Sequence, residues 1–131
     1  MQKEIIISII IVTCIVAGNV ITQKYVKESI YETSNGLMEL RRLLEENKEK
    51  IETEELKGNI EEINNKWQRR HDKLAYFIEH DELEKVETNI TSLKSFIETD
   101  EYSESISELD KCDFILKHIE EKYKFNLQNI F

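Results

Sequence analysis

An uncharged apolar run near the amino terminus constrains this chain more than any other feature. Residues 5–22 read IIISIIIVTCIVAGNVIT and contain no Asp, Glu, Lys or Arg. A helix of this length measures ~27 Å, close to the ~30 Å hydrocarbon core of a bilayer. Isoleucine and valine are poor helix formers in water, but in lipid a helix satisfies its own backbone hydrogen bonds. We therefore expect a single transmembrane helix over residues 5–22.

Three other kinds of amino-terminal signal also contain an apolar stretch, and the sequence disfavours each. A cleaved secretory signal has an apolar core of about 7–15 residues and an A-x-A-like site, whereas this run is longer and Ala17-Gly18-Asn19 is a poor site. A lipoprotein signal needs a small residue before its acceptor cysteine, but Cys14 follows Thr13 after a very short apolar stretch. A type IV pilin start needs a glycine before the run, and none precedes it. The pattern favours an uncleaved anchor.

The charges that flank the run decide little about its orientation. The amino terminus and Lys3 lie on one side, and Lys24 and Lys27 lie on the other, so the positive-inside rule gives no preference. A very short tail ahead of a single span usually stays in the cytosol. We therefore expect a single-pass protein of the cell membrane, with the bulk of the chain extracytoplasmic.

The rest of the chain is acidic and poor in helix breakers. The protein has 131 residues, with 18 Lys and Arg against 27 Asp and Glu, a formal net charge of −9. Such a charge argues against binding to nucleic acid and to an anionic lipid surface. Proline is absent and glycine occurs three times, which favours long helices over strands. The cysteines, Cys14 in the apolar run and Cys112 far from it, predict no disulfide framework.

The predicted fold class is all-α, with an amino-terminal transmembrane helix followed by a small antiparallel bundle of three to four helices. Apolar residues recur at spacings of three and four through most of the chain, as in helices with one buried face. Ser34-Asn35-Gly36 is expected to break or cap the helix that leaves the membrane. The predicted segments are a tail at 1–4, a transmembrane anchor at 5–22, a juxtamembrane helix or stalk at 23–36 and the bundle domain at 37–131.

Within the bundle, the pattern predicts helices over residues 54–79, 82–98 and 102–123, after a first helical face that includes Leu37, Leu40 and Leu44. His80 and Asp81 are expected to set the turn between the first two of these ranges. Asp81 and Glu84 have the spacing of a capping box with Asp in place of Ser or Thr. Cys112 lies on an apolar stripe and is expected to be a buried small hydrophobe.

One positive stripe stands out in this acidic chain. Its members, at helical spacing beside Trp67, are Lys66, Arg69, Arg70 and Lys73. We expect these cations to pair across the bundle with carboxylates of the last helix, namely Asp110, Asp113 and Glu120. A docking face for an acidic partner is the alternative. Trp67, Arg69 and Arg70 are therefore candidate structural or contact residues.

The sequence offers no motif for catalysis or for binding a metal or cofactor. It has no G-x-S-x-G, no glycine-rich phosphate loop and no pair of histidines at metal-ligand spacing. The imidazoles of His71, His80 and His118 are expected to be structural or half-exposed. We therefore predict a protein that is not an enzyme and has no cofactor.

The carboxyl-terminal residues are more apolar than a frayed terminus usually is. Asn129, Ile130 and Phe131 follow Phe125 and Leu127 with no charged side chain among these last seven residues. The tail is expected to dock in a groove of the bundle, on a second copy or on a partner.

Three features together resemble a known family. They are Trp67, the His80-Asp81 pair at a helix boundary and the ending Asn129-Ile130-Phe131. The chain resembles an uncharacterised family, a domain of unknown function, of small membrane-anchored helical proteins of Clostridium-like Firmicutes. This resemblance implies a Gram-positive cell membrane. It also implies a neighbourhood of genes for small multi-span membrane proteins, and thus a membrane complex.

The predicted function is a non-enzymatic, membrane-tethered bundle that acts as an accessory or scaffold subunit of a membrane protein complex, with a multi-span protein as its partner. The alternative is an extracytoplasmic sensory module that holds a small ligand between its helices. The four residues ahead of the span count against that alternative, because they are too few to signal alone.

Overall fold

A computed structural model describes the backbone of residues 1–128 and the side chains of residues 1–124. Its four α-helices are α1 (Gln2–Glu46), α2 (Glu54–Leu74), α3 (His80–Glu98) and α4 (Tyr102–Gln128). Through this described part the chain is all-α, with a long apolar amino-terminal helix and packed helices. The predicted fold class is confirmed.

The helices form a ring in which each packs against its neighbours in the sequence. α1 contacts α2, α2 contacts α3, α3 contacts α4, and α4 closes the ring against α1. The connections are short, at residues 47–53, 75–79 and 99–101, so consecutive helices run antiparallel. α1 and α3 therefore lie on one diagonal of the bundle, and α2 and α4 on the other.

Apolar side chains from all four helices fill the axis of the bundle. Trp67 is the largest fully buried side chain. Fully burying a Leu or Ile side chain stabilises the fold by about 1.5–3 kcal/mol, so these residues supply most of the driving force. The fully buried residues include Leu40 and Leu44 of α1, Leu56 and Leu74 of α2, Leu83, Ile90 and Leu93 of α3, and Cys112, Leu116 and Ile119 of α4.

The helix break expected at Ser34-Asn35-Gly36 does not form. α1 continues through these residues to Glu46, and the bundle core begins at Val26 and Ile30 rather than at residue 37. A Cβ on Gly36 would lie 3.0 Å from Cγ1 of Ile63. The glycine therefore permits a close approach between α1 and α2 and is not a helix terminator. The predicted stalk, residues 23–36, is part of the bundle.

The boundary between α2 and α3 also differs from the prediction. α2 ends at Leu74 rather than near residue 79, and α3 begins at His80. Glu79, with φ −57° and ψ 136°, is the residue that precedes the first turn, and its side chain makes no capping bond. The predicted capping box of Asp81 and Glu84 is wrong, because Asp81 already lies inside the first helical turn. There its negative charge interacts favourably with the helix dipole.

A carboxylate joins the two loops at the end of the bundle away from the apolar half of α1. Oδ1 of Asp100 accepts hydrogen bonds from the backbone N–H of Ile51 at 2.7 Å and of Glu52 at 3.2 Å. Asp100 has φ 59°, a left-handed conformation that Asp tolerates better than most residues. This residue thus fixes the α1–α2 loop to the α3–α4 loop.

Replacing Asp100 with Ala should lower the free energy of unfolding by about 1–3 kcal/mol, because both N–H groups lose their acceptor and Ala is strained at this φ. Asp100→Asn keeps an acceptor oxygen and should cost less. Urea unfolding of the full chain in detergent measures both. Equal stability of Asp100→Ala and the wild type would contradict this role.

Cys112 is fully buried in the core, as predicted. Burial, with smaller effects of Asp113 and Glu108, raises the pKa of its thiol to about 12 from an ordinary 9.0. In the background Cys14→Ser, the folded protein should therefore react far more slowly with a thiol-specific reagent than the unfolded protein at the same pH. Since unfolding releases a more acidic thiol, the stability contributed by burying it is retained below pH 9.0 and declines as the pH rises toward 12. Equal reaction rates of folded and unfolded protein would contradict this placement.

Candidate membrane-spanning helix and the bundle end beside it

The apolar half of α1 is exposed along its whole length. Eighteen consecutive residues of this helix are apolar enough to cross a bilayer, and none of them is buried by the rest of the structure. The core helix of a water-soluble protein would be mostly buried, and this one is not. By its length, composition and exposure, the apolar half of α1 is a candidate membrane span. A signal sequence can have the same length and composition.

The hydroxyl side chains of the apolar run bond to the helix itself. The hydroxyls of Ser8, Thr13 and Thr22 donate to the carbonyl oxygens four residues before them, at 2.8–2.9 Å. In a bilayer, where water is absent, an unsatisfied hydroxyl would be costly. These three hydroxyl groups therefore need no water to satisfy them.

No loop separates the apolar run from the bundle. Val26, four residues after Thr22, is already buried against other helices, and four residues of α-helix span only ~6 Å. The same helix that would cross the membrane is therefore the first helix of the bundle. The bundle end beside it, which we call the proximal end, contains residues 24–36, 65–90 and 113–128.

At the proximal end, Arg70 joins α2 to α1. Its Nε and Nη2 atoms both lie 2.9 Å from Oε2 of Glu32, and its guanidinium lies 5.2 Å from the centre of the Tyr25 ring. The Arg70 and Glu32 side chains are only 27% and 33% exposed. The pair therefore holds α2 against the part of α1 that leaves the apolar run.

The positive stripe does not pair with the last helix as predicted. Arg70 binds α1, Lys66 pairs with Glu62 of its own helix at 3.0 Å, and Lys73 lies 5.7 Å from the Tyr25 ring. Arg69 is exposed. The expected pairing is wrong because α2 and α4 lie on a diagonal of the ring. The acids find nearer cations, since Asp110 pairs with Arg41 of α1 and Asp113 with Lys117 of α4.

A second polar cluster joins α3 to α4 at the proximal end. The Glu82 carboxylate, only 9% exposed, lies 3.3 Å from Nζ of Lys122 and 3.4 Å from Nε2 of His118. Lys122 also lies 3.1 Å from Glu79, and this hydrogen bond is the main reason that the pKa of Lys122 is raised. Tyr123 accepts a hydrogen bond at 2.8 Å from the backbone N–H of Glu79. The cluster fixes the start of α3 to α4.

The remaining sequence-predicted residues lie in different surroundings. Trp67 is fully buried, so it packs inside the bundle and is not a surface contact. His80 and Asp81 are exposed in the first turn of α3. Across the residues that the structure describes, no three His, Cys, Asp or Glu side chains are placed to hold a metal ion. Asn129, Ile130 and Phe131 lie outside the described residues.

Sequence reasoning missed the exposed apolar side chains of the bundle. Tyr31 and Met38 of α1 and Phe114 of α4 are each 67–71% exposed. Tyr31 and Met38 line a surface groove between these two helices. Tyr76 and Phe77, in the α2–α3 loop, are also exposed. Phe114 could have been recognised, because it lies two residues from both Cys112 and Leu116 and so falls off the apolar stripe.

The fold and this arrangement define a small all-α protein, a helical bundle built on a helix that is long and apolar enough to span a membrane. The chain belongs to the family described as a domain of unknown function (DUF4363), whose profile matches residues 20–130. The match confirms the resemblance to a family of unknown function. No curated protein and no solved structure matches the chain.

Proposed function

We propose that this chain is a single-pass membrane protein whose helical bundle lies directly on the membrane surface and serves as a non-enzymatic accessory subunit of a membrane protein complex. The observation that carries the proposal is the continuity of α1, whose apolar half has no buried residue and whose following turns, from Val26 onward, bury one face in the bundle. Such a helix fixes the distance of the bundle from the bilayer. The bulk of the chain is extracytoplasmic in this proposal.

The groove between α1 and α4 has the features of a binding surface for another protein. It lies on the helix that carries the apolar run, and its rim presents Tyr31 and Met38, with the exposed Phe114 on the neighbouring helix. Scattered apolar residues are common on surfaces, but aromatic and methionine side chains are enriched in protein interfaces. A membrane protein that packs beside the apolar half of α1 would also reach this groove. We propose a multi-span membrane protein as the occupant.

A sensory role receives less support from the described core. In a ligand-binding bundle the small molecule lies between the helices, but here Trp67, Leu40 and Leu116 and their neighbours, all fully buried, fill that space. A ligand would therefore have to occupy a surface groove, such as the one between α1 and α4, rather than the packed axis of the bundle. We therefore favour the accessory-subunit role.

Photocrosslinking in intact cells tests the proposal. A photoreactive amino acid at Met38, which lines the groove, should give a defined adduct with a membrane protein, while the same group at Thr91, exposed on α3, should give none. The adduct would be identified after purification from detergent-solubilised membranes. Adducts only with the chain itself, or the same yield from both positions, would contradict a subunit that docks through the α1–α4 groove.

A further inference from the structure

The α2–α3 loop, residues 75–79, exposes two adjacent aromatic rings. Tyr76 is 84% exposed and Phe77 is 39% exposed, and their ring centres lie 6.5 Å apart. Ile78 beside them is buried and holds the loop to the core. An exposed aromatic pair on an otherwise charged surface is typical of a site that contacts another protein or a membrane.

Contacts between α1 and α2 give the level of this loop along the bundle. The Tyr25 hydroxyl lies 3.5 Å from the Arg70 carbonyl oxygen, and the two helices run antiparallel. From Arg70 to the end of α2 at Leu74 is four residues, or ~6 Å. The Gly36–Ile63 contact, counted in the same way, places Leu74 level with residue 25. The loop therefore starts level with residues 21–25, where the apolar run ends.

This level coincides with the edge of the hydrocarbon if residues 5–22 span the bilayer. Tyrosine and other aromatic side chains are favoured at that boundary, where one part of the ring is in an apolar environment and the other reaches water. Lys24, with a side chain 76% exposed, and Lys73 lie at the same level and could contact lipid phosphates.

The net negative charge of the chain is concentrated away from this end. The proximal end, as defined above, carries 10 Lys and Arg against 11 Asp and Glu, and residues 37–64 and 91–112 carry 7 against 15. The formal charges are thus −1 and −8. The acidity that argues against lipid binding for the whole domain is therefore almost absent from the surface nearest the apolar run.

We propose that Tyr76 and Phe77 insert into the headgroup region of the membrane that holds α1, and so form a second contact between the bundle and the bilayer. The inference rests on the membrane anchoring proposed above. The two membrane contacts are α1, at one corner of the ring, and the loop that leads to α3, the helix diagonal to α1. Together they restrict the tilt of the bundle. The same face is then closed to a protein partner.

Spin labels on the full chain in protein-free liposomes of phosphatidylcholine and phosphatidylglycerol test this contact. In the background Cys14→Ser, single labels would be placed through Tyr76→Cys, Ile10→Cys and Glu101→Cys. Glu101 is the matched control, because it lies in the α3–α4 loop at the opposite end of the bundle. Collision rates with oxygen, which partitions into lipid, and with a water-soluble nickel chelate report the depth of each label.

The label at residue 76 should show several-fold lower nickel accessibility than the label at residue 101, and the label at residue 10 should show the lowest. If residue 10 is shielded but residue 76 is as accessible to nickel as residue 101, the loop lies in water. The proposed second contact is then contradicted, and the anchoring of α1 in the membrane is not. If residue 10 is itself accessible to nickel, the anchoring is wrong and the loop contact fails with it.

Discussion

Replacing Trp67 with Ala is expected to lower the free energy of unfolding by about 3–5 kcal/mol, the usual cost of removing a large aromatic side chain from a packed core. Trp67 is fully buried and lies on α2, which packs against both α1 and α3. A cavity at this position would weaken both packing surfaces. Urea unfolding of the full chain in a mild detergent, followed by circular dichroism, measures the change.

Two matched variants make this prediction sharper. Trp67→Phe should cost clearly less than Trp67→Ala, because it keeps a ring in the core and removes an indole N–H that has no hydrogen-bond partner among the described residues. Arg69→Ala, on the exposed face of the same helix, should change the stability by less than about 0.5 kcal/mol. Equal stabilities for wild type and Trp67→Ala would contradict the core described above.

The double substitution of Val12 and Ile15 by Arg is expected to remove the protein from the membrane. Both side chains are more than half exposed in the middle of the apolar run. Each Arg at the centre of a span costs about 2.5–3.5 kcal/mol on insertion scales, and the two lie on adjacent turns of one helix, where their costs should largely add. Separation of membranes from the soluble fraction, with detection of the protein in both, measures the result.

The matched control replaces the same two residues with Leu, which keeps the run apolar and should leave the protein in the membrane fraction. Both positions are more than half exposed among the described residues, so the bundle should remain helical in both variants. Unchanged membrane retention of the Arg variant would mean that the apolar half of α1 is not what holds the protein there.

The sequence predicted the helical fold because its apolar spacing directly reflects the buried face of each helix. Leu83, Val86, Ile90, Leu93 and Ile97 follow that spacing and are all buried in α3. Gly36 shows the limit of local rules. The local sequence predicts a helix break at this glycine, but its role is set by Ile63 of another helix. Such a contact is visible only once the helices are packed.

The ion pairs were less predictable than the helices for a related reason. Arg70 could be recognised as part of a positive stripe, but its partner depends on the order of helices around the ring, which periodicity does not specify. The ring places Glu32 rather than Asp110 or Glu120 beside it. The exposure of Tyr76 and Phe77 could not be predicted for another reason. The apolar pattern continues past the true end of α2 at Leu74, so the sequence places both residues inside a helix.

Alkaline extraction of membranes from cells that produce the full chain, followed by an intact mass of the extracted protein, tests most directly whether an uncleaved α1 holds the bundle on the bilayer. The account predicts that the protein stays with the membranes and that its mass includes the apolar run, so that the 131 residues contribute 15.6 kDa. Release into the alkaline supernatant, or a mass that lacks the apolar run, would contradict it.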